Sequence, residues 1–130
     1  MTTVLTAAEI EKAIHAFITA EKTDLGIEVT LPVAYDDGDF VSVVIEQKAT
    51  SLLVHDASSA AMRISSVGVF LSQNLVQRLN QLAQRYHCTF ADGRVSAPAT
   101  LESFAQVACF VANASRTVAD YVYELSPPAS

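Results

Sequence analysis

The feature that most constrains the fold is an alternation of apolar and polar residues from Ile27 to Val33. A period of two is typical of an antiparallel strand with one buried face. The acidic turn Asp36-Asp37-Gly38-Asp39 follows, and a run rich in β-branched residues then extends from Phe40 to Gln47. A third apolar run, Ser51 to His55, comes next. The segment therefore predicts a three-stranded antiparallel meander.

Helical spacing appears on both sides of this meander. A capping box at Thr6-Ala7-Ala8-Glu9 predicts an amphipathic helix from about Ala7 to Lys22, with Gly26 beyond its end. A weaker helical stretch runs from Ser58 to Ser66, and Ser72 is placed to cap a clearer helix that reaches Tyr86. The last helix is predicted from Thr100 to about Tyr123.

A second hairpin is expected between the last two helices. Asp92-Gly93 separates two short strand-like runs and is among the strongest local signals for a type I′ turn. The predicted fold class is α+β, with helices packed on one face of an antiparallel sheet. Pro32 predicts that the first meander strand lies at a sheet edge. We expect one domain over residues 1–125 and a disordered tail over 126–130.

The charge of the chain is unevenly distributed. Residues 1–56 contain ten acidic side chains and three lysines, a net charge of −7, whereas residues 57–130 have a net charge of +1. An acidic surface repels phosphate, so the sequence disfavours binding to nucleic acid or to anionic lipid and favours a basic protein partner. Hydrophobic residues make up 51% of the chain and charged residues only 17%, which indicates a self-associating surface and a homodimer.

The sequence also gives expectations for compartment and cysteine chemistry. No apolar run approaches the roughly 18 residues that span a bilayer, and Met1-Thr2-Thr3-Val4 lacks the basic flank of a signal peptide. We therefore expect a cytoplasmic protein without membrane association. Cys88 and Cys109 lack metal-ligand spacing and are predicted to be buried free thiols.

Two segments resemble a known family. Tyr35 to Ile45, together with the short strand Leu52 to Asp56, is similar to the bacterial and phage family catalogued as domain of unknown function 1828. Such a resemblance implies a small cytosolic protein, often encoded in phage or mobile DNA, without an established activity. It implies a context of host defence or counter-defence.

Some residues invite comparison with metal-dependent nucleases, which pair an aspartate with an E-x-K tripeptide to hold Mg²⁺. Here the tripeptide is Glu46-Gln47-Lys48, and the aspartates are those of the acidic turn. Asp39 and Glu46 lie on one strand, more than about 20 Å apart at roughly 3.3 Å per residue, which is too far to share an ion. A hairpin turn and a solvated strand end are the favoured interpretation. Weak Ca²⁺ binding at the turn stays open, although the EF-hand pattern is absent.

His55 and Asp56 could form a general base with its orienting carboxylate. Neighbours on a strand point to opposite faces, so His55 is expected to end the strand, and Asp56 or Ser58 to cap the next helix. No catalytic triad and no motif for a cofactor or a resident metal is visible in the sequence.

These observations favour a binding protein over an enzyme. The first hypothesis is a protein-interaction module, associated with phage or mobile DNA, that binds a basic partner through five carboxylates: Asp36, Asp37, Asp39, Glu46 and Asp56. The second is a dimer similar to type III secretion chaperones, which would bind an effector protein; this analogy rests on element order alone. The third is a metal-dependent nuclease or other hydrolase.

Overall fold

The computed structural model describes residues 5–125, and these form an α+β structure. The elements in chain order are α1 (Ala7–His15), β1 (Thr19–Thr23), β2 (Gly26–Ala34), β3 (Phe40–Lys48), β4 (Ser51–His55), α2 (Ser59–Ser66), α3 (Gln73–Gln84), β5 (Thr89–Ala91), β6 (Arg94–Ala99), α4 (Phe104–Asp120) and the single turn α5 (Val122–Leu125).

The six strands form one antiparallel sheet in the order β1-β2-β3-β4-β6-β5. The predicted meander is confirmed as β2-β3-β4, with the acidic turn joining β2 to β3. The second hairpin is also confirmed: Asp92 and Gly93 have φ of 55° and 74°, as the two central residues of a type I′ turn require. β6 lies between β4 and β5 because it pairs with both.

The prediction of a helix extending to Lys22 is wrong in its second half. The helix ends at His15, and residues 19–23 form β1, which pairs with β2 from Thr19–Thr30 to Thr23–Gly26. The Thr23 hydroxyl donates to the Gly26 carbonyl (3.1 Å) and accepts from the Leu25 amide (3.2 Å), and these bonds close a tight turn. Pairing with β2 thus overrides the helical spacing of the preceding apolar residues.

Pro32 does not mark an edge strand, because β2 lies between β1 and β3. The pairing of β2 with β1 ends at Thr30, and the register of β2 with β3 shifts between Thr30 and Ala34. Pro32 occupies this irregularity, where a strand tolerates the missing N–H.

Most of the core lies between the sheet and α4, which packs across β2, β3, β4 and β6. Small residues on α4 allow close approach, and the buried set there is Ala108, Val111, Ala112, Ala114, Ser115, Val118 and Ala119. The sheet contributes Val41, Val43, Val54 and Val95 to the same cluster. α2 and α3 pack against α4, whereas α1 buries none of its residues.

The predictions for α2 and α3 agree with the structure, whereas the prediction of one last helix from Thr100 to about Tyr123 is wrong at both ends, since α4 spans Phe104–Asp120 and α5 follows it. α2 matches the weaker stretch, and the Ser72 hydroxyl accepts from the Leu75 amide to cap α3. The last helix begins at Phe104, because residues 101–103 form a turn in which Ser103 Oγ accepts from the Thr100 amide. The predicted tail 126–130 lies outside the described residues. None of the described helices is both long and apolar enough to cross a membrane.

Candidate functional site

The sheet face turned away from α4, called here the outer face, carries polar side chains. The strand registers place on this face Glu21, Glu28, Thr30, Ser42, Val44, Glu46 and His55. Val44 is buried but lies outside the hydrophobic cluster under α4. The polar side chains of the outer face do not pack against α4, so we take this face as the candidate ligand-binding surface.

His55 is fully buried and both of its ring nitrogens have partners. Nδ1 accepts from the Ala57 amide (3.0 Å), so the neutral ring carries its proton on Nε2. Nε2 then donates to Glu46 Oε2 (2.9 Å), and Lys48 Nζ and Arg94 Nη1 lie 3.8 and 3.9 Å from the same carboxylate. Burial and the Arg94 charge lower the pKa of His55. With no free lone pair and no exposed surface, His55 is not arranged as a general base.

Asp56 lies in the interior, with 1% of its surface exposed. Oδ1 accepts from the amides of Ser58 and Val95, both at 3.0 Å. Oδ2 accepts from the Ala60 amide (3.1 Å) and from the Ser115 hydroxyl (2.8 Å). The sequence predicts that Asp56 or Ser58 caps the next helix. Ser58 stands at the N-cap position of α2 but its side chain makes no cap bond, whereas Asp56, two residues earlier, accepts from the Ala60 amide in the first turn. The Asp56 carboxylate also connects β6 and α4 to the start of α2.

A chain of hydroxyls leads from this buried carboxylate towards the surface. Ser115 Oγ, which donates to Asp56, lies 2.8 Å from the Tyr35 hydroxyl, and that hydroxyl donates to Ser59 Oγ (3.0 Å). Burial raises the pKa of Tyr35. The Arg63 guanidinium stacks 3.8 Å from the centroid of the Tyr35 ring. These contacts join α2 to Tyr35, the residue that follows β2.

The acidic turn is bound to α2 by the same arginine. Arg63 donates to Asp37 Oδ2 (2.6 Å) and to Asp39 Oδ2 (3.2 Å). The Asp39 amide and the Arg63 guanidinium, both donating to Asp37, hold the pKa of that carboxyl below its ordinary value. Asp36 is exposed beside this pair. The turn therefore presents three carboxylates, of which two already share a cation.

The five predicted partner-binding carboxylates occupy three separate places. Three lie in the acidic turn, Glu46 lies near the opposite end of β3 beside His55, and Asp56 is in the interior. Asp39 and Glu46 are seven positions apart on extended chain, roughly 23 Å. Within residues 5–125, no group of three or more His, Cys, Asp or Glu side chains is arranged to hold a metal ion.

A cleft of about 500 Å³ opens between α2 and the outer face; we call it the β3–α2 cleft. Its lining residues are Glu28, Tyr35, Phe40, Ser42, Val44, Asp56, Ala57, Ser59, Met62, Arg63 and Ser66. Met62 is 66% exposed and Phe40 is 43% exposed, so apolar surface remains uncovered at this opening. The Phe17 ring packs against Phe40 in a T-shaped arrangement, with 5.3 Å between centroids.

Beside the cleft, two glutamates face each other on neighbouring strands. Glu21 on β1 is the direct partner of Glu28 on β2, and both are exposed. Neither takes part in the ion pairs formed within residues 5–125. Like charges in direct opposition destabilise a strand pair. The apolar spacing of the sequence predicts a helix through Glu21 and so does not reveal this pair; the β-branched residues Thr19 and Thr23 are the signal that favours a strand.

Comparisons with protein-family models, curated proteins and solved structures found no match to this chain. The resemblance to domain of unknown function 1828 consequently stays a prediction from the motifs.

Proposed function

We propose that this protein is an interaction module that binds a basic segment of a partner protein on the outer face of its sheet. The observation that carries the proposal is the Glu21–Glu28 pair, two exposed carboxylates in direct opposition without a cation among the described ion pairs. A cationic side chain placed between them would relieve their repulsion, so the pair is better satisfied in a complex than in the free chain.

The acidic turn supports the same partner chemistry. Asp37 and Asp39 share one guanidinium, that of Arg63, and Asp36 is exposed beside them, so the turn together with Arg63 keeps two negative charges. Glu28 lines the β3–α2 cleft, and the turn contacts Arg63, which also lines it. We assign to the turn a role in long-range attraction, which weakens as salt rises. Glu46 accepts a hydrogen bond from His55, and Asp56 accepts its hydrogen bonds inside the protein, so neither is assigned to partner binding.

The test is binding of a defined cationic probe, an octalysine peptide, measured by isothermal titration calorimetry at 50 and 300 mM salt. The double variant Glu21→Gln/Glu28→Gln should weaken binding at least tenfold. The matched control is Glu9→Gln/Glu11→Gln, which removes the same charge from exposed positions on α1. Equal losses in both variants would mean that net charge alone attracts the peptide, and absence of binding at low salt would contradict the proposal.

A second candidate is self-association of the kind found in a secretion-chaperone-like dimer. It is favoured by α1, which has no buried residue and presents Ile10 and Ile14, each more than 40% exposed, on one stripe. Ile10→Glu/Ile14→Glu should convert a dimer to a monomer in light scattering. Phe70→Glu/Leu101→Glu, at exposed apolar positions elsewhere, is the control. A wild-type monomer at high concentration would exclude this candidate.

The proposed setting is the cytoplasm, in a phage-associated defence or counter-defence system. It rests on the motif resemblance, and the neighbouring genes test it. Phage genes would support this setting, whereas an adjacent secretion effector gene would favour the chaperone-like candidate.

The nuclease alternative predicts Mg²⁺-dependent cleavage that is lost in Glu46→Ala; absence of cleavage with several metals and substrates would remove it.

A further inference from the structure

We propose that the β3–α2 cleft receives the side chain of an arginine from the basic partner. This inference rests on the proposed function and specifies the group that is recognised. This cleft combines an open cavity, uncovered apolar surface and the carboxylate of Glu28, which takes part in none of the ion pairs formed within residues 5–125.

The apolar part of the cleft suits the stem and the flat face of a guanidinium. Phe40 on β3 and Met62 on α2 are exposed at the opening, and Val44 on β3 adds a buried apolar side chain to the lining. The edge contact from Phe17 limits the positions that the Phe40 ring can take. An aromatic face binds a guanidinium by stacking and by cation–π attraction.

The polar part of the cleft supplies acceptors. Glu28 lines it, with Glu21 directly across the strand pair, so two carboxylates lie within reach of one cation. The Ser42 and Thr30 hydroxyls are 2.7 Å apart on the same face, and their remaining lone pairs add acceptor capacity. A carboxylate binds a guanidinium through two parallel hydrogen bonds.

Arg63 also lines the cleft but does not oppose a second cation strongly. Its guanidinium donates to Asp37 and Asp39 and stacks on Tyr35. Those two carboxylates more than offset its charge, which leaves the cleft negative. The arrangement around Arg63 also shows, within this protein, the chemistry we assign to the cleft: an aromatic ring and two carboxylates around one guanidinium.

Arginine is favoured over lysine for physical reasons. Its guanidinium is planar, weakly hydrated and able to form a fork with a carboxylate, whereas an ammonium is a compact and strongly hydrated point charge. An apolar opening beside a carboxylate therefore favours the guanidinium. A volume of about 500 Å³ is within the usual range of ligand sites and leaves room for the neighbouring backbone of the partner.

The experiment compares two heptapeptides of equal charge in calorimetry. Each has two lysines at either end and glycines beside the central residue, which is arginine in one peptide and lysine in the other. The wild type should bind the arginine peptide at least fivefold more tightly. Met62→Ala/Phe40→Leu should remove this preference while binding of the lysine peptide stays within twofold. Phe70→Ala, an exposed apolar position outside the cleft, is the control and should retain the preference.

Amide chemical shifts locate the bound peptide. Shifts at Ser42, Val44 and Met62 that saturate with the arginine peptide support the assignment, and shifts confined to other regions overturn it. Equal affinity for both peptides in the wild type also overturns it, yet leaves the proposed function standing if Glu21→Gln/Glu28→Gln weakens both. Failure of both peptides to bind would overturn the inference and the proposed function together.

Discussion

Replacement of Asp56 by asparagine tests whether the buried carboxylate joins the three elements that it contacts. The carboxylate accepts four hydrogen bonds, two on each oxygen, from three backbone amides and the Ser115 hydroxyl. Asparagine keeps one accepting oxygen. If that oxygen stays with the amides of Ser58 and Val95, the new NH₂ group faces the Ala60 amide, which loses its acceptor, while the Ser115 hydroxyl can rotate to accept.

The cost follows from these contacts. A buried N–H without an acceptor costs about 1–3 kcal/mol. The two bonds that remain lose the assistance of a charged acceptor, about 1 kcal/mol each. We expect Asp56→Asn to lower the free energy of unfolding by about 3–5 kcal/mol. At a denaturant slope of about 2 kcal/mol per M, the urea midpoint falls by about 1.5–2.5 M.

Urea unfolding followed by circular dichroism at pH 7 measures this loss. Asp24→Asn makes the same chemical change at an exposed position in the β1–β2 turn and should cost under about 0.5 kcal/mol. A loss below about 1 kcal/mol for Asp56→Asn, or one equal to the control, would show that these hydrogen bonds do not hold the elements together.

Three further predictions concern single groups. The prediction of buried thiols is confirmed for Cys88 and wrong for Cys109, which is exposed. Burial, reinforced by the charge of Asp56, raises the pKa of Cys88 to about 11, so iodoacetamide at pH 8 should label Cys109 and spare Cys88 in mass spectra; equal labelling would contradict this. Because burial lowers the pKa of His55 in the folded protein, this imidazole is protonated at a higher pH in the unfolded chain than in the folded one. The free energy of unfolding should therefore fall as the pH drops below about 6.5, by at most about 1.4 kcal/mol per pH unit. In urea titrations His55→Gln should have a shallower pH profile than the wild type, and identical profiles would refute the linkage. Gly26→Ala should destabilise by more than about 1 kcal/mol in urea, because its Cβ would lie 2.5 Å from the Ile45 carbonyl oxygen. Gly38→Ala, where the Cβ meets nothing within 4 Å, should cost less, and equal costs would exclude the clash.

Local signals predicted much of the fold. The Asp92-Gly93 turn, the Ser72 cap and the alternation in β2 each depend on neighbouring residues, and each agrees with the structure. β1 was not found because the apolar spacing of α1 continues through Ile18 and imitates further helix. Whether such a segment pairs with a strand depends on its partner, which short-range periodicity does not encode.

The candidate site was less predictable because its contacts join distant parts of the chain. Asp56 and Ser115 are 59 positions apart, and Arg63 meets Asp37 across 26. Sequence reasoning identified Asp37 and Asp39 as an acidic turn but could not pair them with Arg63. It placed Asp56 among the surface carboxylates because a single aspartate gives no sign of burial when its four donors come from other elements.

The strand order carries a consequence for how the chain folds. Each neighbouring pair from β1 to β4 is connected by a short turn, so this part of the sheet can form by local zipping with little loss of chain entropy. The β4–β6 ladder must instead close a loop that contains α2, α3 and β5. We therefore expect the rate-limiting step to be the docking of β6 beside β4. Substitutions in that ladder should slow refolding, whereas those in the β1–β2 hairpin should mainly speed unfolding.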